Sequence, residues 1–154
     1  MPLRTHRTWL LVTAIVVGSF GPVFALGAFE PTAAPARWTL ELLSGPGDQH
    51  RAYDAATTRF LSALTGGFLL GWGVMIGCLR AWVFDVAPEA VRRTVLAGLL
   101  AWFLLDSAGS IASGTPWNAG FNVGVLLLAA GPLWWRVEGE ERADVDSRPA
   151  RRSG

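Results

Sequence analysis

The amino-acid sequence predicts an all-α membrane protein: a four-transmembrane-helix bundle with both termini inside and a short outer loop segment. Three observations predict it. Hydrophobic residues make up 51% of the 154 positions and charged residues only 16%, well under the roughly 25% of an ordinary soluble domain. Mean hydropathy is +0.36. The apolar residues gather into four runs, each near the ~20 residues that a helix needs to cross a bilayer.

The first run, 8–29, carries no charge and follows Arg4, His6 and Arg7. A secretory signal peptide is the rival reading, with small residues at Ala25 to Ala28 as its cleavage site. The run exceeds the roughly 7–15 residues of a signal core, so it reads as a retained anchor. Gly21-Pro22 predicts a kink in it, tolerable where neighbouring helices cover the freed carbonyl.

Residues 30–48 form the one sizeable loop, broken by Pro31, Pro35 and Gly45-Pro46-Gly47. Within it, 37–43 fits a short interfacial turn of helix with Trp38 and Leu42 on one side. Asp48 is placed to cap a helix that starts in water and passes Tyr53 into the second span.

The second span, 60–79, presents Arg59, Ser62, Gly66, Leu70, Gly73, Gly77 and Arg80 at intervals of three or four. This is one stripe of mostly small residues. Gly67/Gly71 and Gly73/Gly77 add the small-xxx-small spacing that lets helix backbones approach closely in lipid. The stripe suits packing within the chain's own bundle. The sharper reading is a homo-oligomer or a membrane partner seated on the Gly66/Gly73/Gly77 face.

Asp85 to Glu89 reads as a turn and helix start, with Pro88 in the first turn. The third span covers 94–113 and the fourth 117–135. The turn Gly114-Thr115-Pro116 between them is so tight that these two must be antiparallel neighbours. From about residue 137 the chain mixes acids and arginines with no apolar period, which predicts a disordered cytoplasmic tail over 137–154.

All thirteen basic residues are arginines, and the net charge is +1. That balance gives no reason to expect a nucleic-acid partner; the expected partner is the lipid bilayer. A lysine-free composition rich in Arg, Ala and Gly suggests a GC-rich bacterial genome, and hence the inner membrane. Counted by alternate segments, ten arginines fall on the side of the termini and three on the other. The positive-inside rule therefore puts both termini in the cytoplasm. Trp9, Trp82, Phe84, Trp134 and Trp135 would mark the inner boundary, and Phe29, Phe60 and Trp117 the outer one.

The third span holds the one carboxylate deep in an apolar run, Asp106, on the order of 10 Å below the outer surface at 1.5 Å per residue. An acid there is costly and marks a functional or a paired structural site. It shares a helix face with Ser110. Across the hairpin Asn118 and Asn122 share a face at matching depth, and Arg59 has the reach to lower its guanidinium toward them. The expected site is thus a polar cluster of Arg59, Ser62, Asp106, Ser110, Asn118 and Asn122 opening to the outside. Two readings stay open: a structural network that fixes helix register, and a small cavity binding a polar or amphipathic molecule or a proton.

Catalytic residues are not expected. Asp106 has no second membrane carboxylate, no metalloprotease helix motif or Ser/Lys pair occurs, and 109–114 is not a nucleophile elbow. No metal or cofactor is expected either. Cys78 is the sole cysteine, and His6 and His50 lie outside the apolar runs, which rules out a haem held by two facing histidines.

In size, span number and single membrane acid the chain resembles the small multidrug transporters. That likeness implies a small transporter or carrier subunit with Asp106 as its switching charge. It departs from them in carrying the acid in the third span, not the first, and in its pronounced arginine bias. Over 8–136 it also resembles the short four-span bacterial inner-membrane proteins, a likeness that implies an architecture and no site. The expected role is binding or accessory, with the transporter as the alternative.

Overall fold

The computed structural model describes residues 1–45 and 55–138, all of whose regular structure is helical. In chain order the helices are α1 (Leu3–Leu26), α2 (Ala34–Ser44), α3 (Ala56–Cys78), α4 (Pro88–Ala112) and α5 (Pro116–Ala130). Three stretches are long and apolar enough to cross a membrane: Leu3–Leu26, Ala56–Val83 and Pro88–Ala112. The fourth expected span, 117–135, differs. Its α-helix stops at Ala130, and a 3₁₀ turn, Gly131–Trp134, continues the chain. Fifteen residues rise about 22 Å, short of the ~30 Å of a hydrocarbon core.

The break has a local cause. Gly131 sits at φ +36, in the left-handed region that a side chain disfavours, and the Trp9 indole lies where its Cβ would be. Gly114, at φ +76, ends α4 in the same way. There the Thr115 N–H reaches back to the Ser110 carbonyl (2.8 Å) and the Gly114 N–H to that of Ile111 (3.1 Å). This pair of bonds satisfies the last carbonyls of α4. Pro116, needing no N–H partner, then opens α5.

α1 and α3 form one antiparallel pair, and α4 and α5 the other. The glycine stripe of α3 makes the first seam. A Cβ at Gly73 would lie 2.6 Å from the Gly18 Cα and 2.8 Å from the Ala14 carbonyl oxygen, and one at Gly66 would meet the backbone of Gly21 and Ala25. Ser62, on the same stripe, donates to the Phe24 carbonyl (2.8 Å). Two of the three glycines offered to a partner are therefore covered by the chain's own α1. Gly77, like Gly67 and Gly71, has open space beside it. α1 stays helical through Pro22.

α2 covers the expected turn of helix over 37–43 and extends it at both ends. Trp38 and Leu42 are exposed on one side, while Ala36 and Thr39 are buried on the other. α3 starts at Ala56 with no side-chain cap; Asp48 and Tyr53 lie outside the described residues. Its far end passes into a π-turn over Leu79–Val83, closed by the Phe84 N–H on the Leu79 carbonyl (2.9 Å). The main core, including Leu10, Ile76, Phe84, Val95, Leu99, Ala129 and Leu133, lies in the half of the molecule nearer the termini.

That half is closed by polar groups. Arg92 grips Glu89 with two hydrogen bonds of 2.7 Å and gives a third, of 2.6 Å, to the Leu133 carbonyl. Arg93 adds one to Glu89 at 2.8 Å. His6 joins the Trp135 carbonyl (2.9 Å), Arg7 pairs with Asp85 (3.0 Å), and Arg80 donates to the Arg7 carbonyl (2.8 Å). Residues 137 and 138, expected in the disordered tail, are ordered against the bundle: Val137 is buried and the Glu138 N–H reaches the Met1 carbonyl (3.0 Å). Residues 139–154 lie outside the described residues.

A cavity lined by an Asp106 network

Between the two helix pairs, in the half away from the termini, lies a cavity of about 450 Å³. α1 and α3 form one wall, α4 and α5 the other, and Leu40, Leu43 and Ser44 of α2 lie across it. Trp72, Trp102, Leu99 and Val17 line its part nearest the core. Trp72 and Trp102 meet there with ring centroids 6.4 Å apart, and the Trp72 indole also lies over Gly98. Away from this contact α3 and α4 stand on opposite sides of the cavity. Leu61 and Thr65 on α3, and Asp106 and Ser113 on α4, line it while remaining exposed, so it opens on the flank between these helices.

One wall is polar. Asn118 Nδ2 donates to Asp106 Oδ2 (2.9 Å) and to Ser110 Oγ (2.8 Å). Asn122 Nδ2 donates to the same Asp106 Oδ2 (2.7 Å) and to Ser107 Oγ (3.2 Å). The register follows from the short turn. The Gly114 cap holds α4 and α5 antiparallel, so positions 106 and 110 of α4 oppose 122 and 118 of α5. Asn122 is 2% exposed, so its amide is held in one place by the serine and the carboxylate. Ser107 was not among the expected residues. Adjacent helix positions point in different directions, yet the Asn122 Nδ2 between them reaches both.

The structure brings four of the six expected residues together: Asp106, Ser110, Asn118 and Asn122. Ser62 lines the same cavity from the opposite wall, with its hydroxyl turned to the Phe24 carbonyl. Arg59 does not join: no hydrogen bond or ion pair links it to Asp106, and it does not line the cavity. The reason is rotational. Ser62 and Gly66 turn their stripe onto α1, which carries Arg59 away from α4.

The rest of the lining is largely apolar and aromatic, with Phe20, Phe24, Phe121 and the two tryptophans. Asp106 is the one ionisable side chain among the described lining residues. A mostly apolar hollow of this size with a few convergent polar groups has the build of a small-molecule site. No group of three or more His, Cys, Asp or Glu side chains suited to a metal occurs among the described residues.

His6, Glu89 and Arg92, all buried, were missed as structural residues at the opposite end. The Glu89/Arg92/Arg93 spacing of three and four on one helix was the available signal. Comparison with protein-family models, with curated proteins and with solved structures returns no match.

Proposed function

We propose that the chain is a multi-pass protein of a bacterial inner membrane that binds a small amphipathic molecule in the cavity beside Asp106. In this reading four segments cross the bilayer, both termini are cytoplasmic, and the cavity lies toward the outer face. Three apolar helices support the membrane setting. The 3₁₀ turn adds about 8 Å to α5, bringing it near the thickness of a hydrocarbon core. Met1 and Glu138 meet at one end, which suits an even number of crossings, and six of the eight described arginines lie at that end.

The single observation that carries the binding reading is the cavity itself, largely apolar and aromatic, with the Asp106 network on one wall. Its role is binding or accessory, since among the described residues Asp106 has amides and hydroxyls around it and no second acid or nucleophile–base pair. The competing transporter reading asks the cytoplasmic end to open. That end is held by the Glu89–Arg92–Leu133 and His6–Trp135 contacts, which weighs against it.

Two measurements test the reading. A C-terminal reporter active only in the periplasm should stay silent, and a signal from it overturns the topology. In nanodiscs of phosphatidylcholine, the full chain should take up decanol saturably, about one per chain, by calorimetry against empty discs. Leu61→Trp, which fills the mouth of the cavity, should abolish that uptake. Unsaturable partitioning, equal with and without the substitution, overturns the binding site.

A further inference from the structure

We infer that the ligand of this cavity carries a primary ammonium head, read by its N–H donors, on an apolar body. The inference rests on the binding reading above and adds the head-group chemistry. It follows from counting donors and acceptors on the polar wall. An amide nitrogen has two N–H groups. Both on Asn118 are committed, to Asp106 and Ser110, and both on Asn122, to Asp106 and Ser107. All four point into the network.

What remains toward the cavity is accepting oxygen. Asp106 Oδ1 makes no hydrogen bond among the described residues, and neither amide oxygen is engaged by another side chain. The serine hydroxyls can act either way, so the balance stays on the accepting side. The carboxylate also lacks a cation: no arginine or histidine is among the described lining residues. A negative charge at membrane depth calls for a positive partner, and one with N–H groups satisfies the empty acceptors too.

The route in follows from the open flank. Leu61 and Asp106 stand exposed on either side of it, so an amphipath lying in the bilayer enters head first toward the carboxylate, with its chain among the aromatic side chains opposite. An aminolipid of the membrane and a free alkylamine share this chemistry. They differ in whether the bilayer itself supplies the occupant.

The test uses the full chain in phosphatidylcholine nanodiscs and three probes with one tail: decylammonium, decyltrimethylammonium and decanol. Decylammonium should bind saturably and at least about tenfold tighter than either of the others, the scale of one charge-assisted hydrogen bond. Asp106→Asn should erase that preference, with an unfolding midpoint in detergent close to that of the unsubstituted chain certifying that the variant is folded. Equal binding of decylammonium and its trimethylated form overturns donor recognition, and equal binding of decanol overturns the cation. In both cases saturable uptake leaves the cavity reading standing, whereas uptake of none of the three ends both. Replacing part of the phosphatidylcholine with phosphatidylethanolamine assigns the source. A competitive loss of decylammonium affinity identifies an aminolipid, and unchanged affinity identifies a free amine.

Discussion

At the end where Met1 meets Glu138, the buried Glu89 and Arg92 satisfy one another; at the opposite end polar groups line a hollow, and Asp106 keeps one oxygen without a hydrogen bond among the described residues. Glu89 and Arg92 are 5% and 7% exposed and share a bidentate contact, with the third Arg92 bond closing on the Leu133 carbonyl. Asp106 is exposed and accepts two amide bonds on one oxygen only. Both are acids placed in apolar helices. The first is locked by partners from its own helix and from the segment that follows α5, as a group that holds structure must be. The second has amides to orient it and no cation among the described lining residues to neutralise it, which is what the proposed ligand would supply.

The largest effect is therefore expected at the closed end. Arg92→Ala removes the partner of a buried carboxylate and the donor to Leu133 at once. Breaking a buried pair from one side costs about 3–5 kcal/mol, and thermal unfolding of the full chain in detergent should register a loss of that order. A loss below about 1 kcal/mol would mean that the two ends do not differ in the way described.

The seam between α1 and α3 runs past both ends and sharpens the comparison by removing packing from it. Gly66→Ala drives a methyl into the backbone of Gly21 and Ala25, where neither can yield as a flexible side chain would. Overpacking of this kind costs about 1–3 kcal/mol. Gly67→Ala, one residue on, meets nothing within 4 Å and should be neutral or gain a few tenths of a kcal/mol from helix propensity. Similar losses at both positions in the same unfolding assay would remove the seam as described.

A smaller loss is expected from Thr13→Val. Its hydroxyl lies 2.6 Å from the Ala129 carbonyl and 2.9 Å from that of Trp9, and it ties α1 to the last turn of α5, where the helix breaks at Gly131. Hydrogen bonds between membrane helices contribute about 0.6 kcal/mol on average and up to about 1.7. Detergent unfolding of the valine variant should fall in that range, and an unchanged midpoint would assign the α1–α5 contact to packing alone.

Much of the cavity end was legible in the sequence because its geometry is local. Asp106 and Ser110 are four apart, as are Asn118 and Asn122, and a three-residue turn leaves the two pairs one way to face each other. The small-residue stripe of α3 announced a close approach, but periodicity reports a face and not the neighbour that covers it. Gly18 and Gly21 of α1 took that place, and Arg59 rotated away with the stripe. The closed end was hidden for a related reason. It joins His6 to Trp135, 129 positions apart, and no window of sequence contains both. The break at Gly131 depends on where the Trp9 ring lies, which is again a distant residue.

The smallest stability change is expected from Asp106→Asn, and it bears most directly on the contrast between the ends. The substitution keeps the shape, and its amide oxygen can still accept from Asn118 and Asn122, so the network survives in weakened form. In the proposed membrane setting, relieving a charge with no cation among the described lining residues works in the stabilising direction, and replacing charge-assisted bonds with neutral ones works against it. The two partly cancel, and the net change should stay within about 1 kcal/mol by unfolding in detergent. A loss as large as that of Arg92→Ala would make Asp106 a structural acid like Glu89. The open acceptors would then be incidental, and the cavity would lose its claim to a charged ligand. Stability retained together with altered binding separates the two acids as the geometry requires: one keeps the helices together, and the other faces what enters between them.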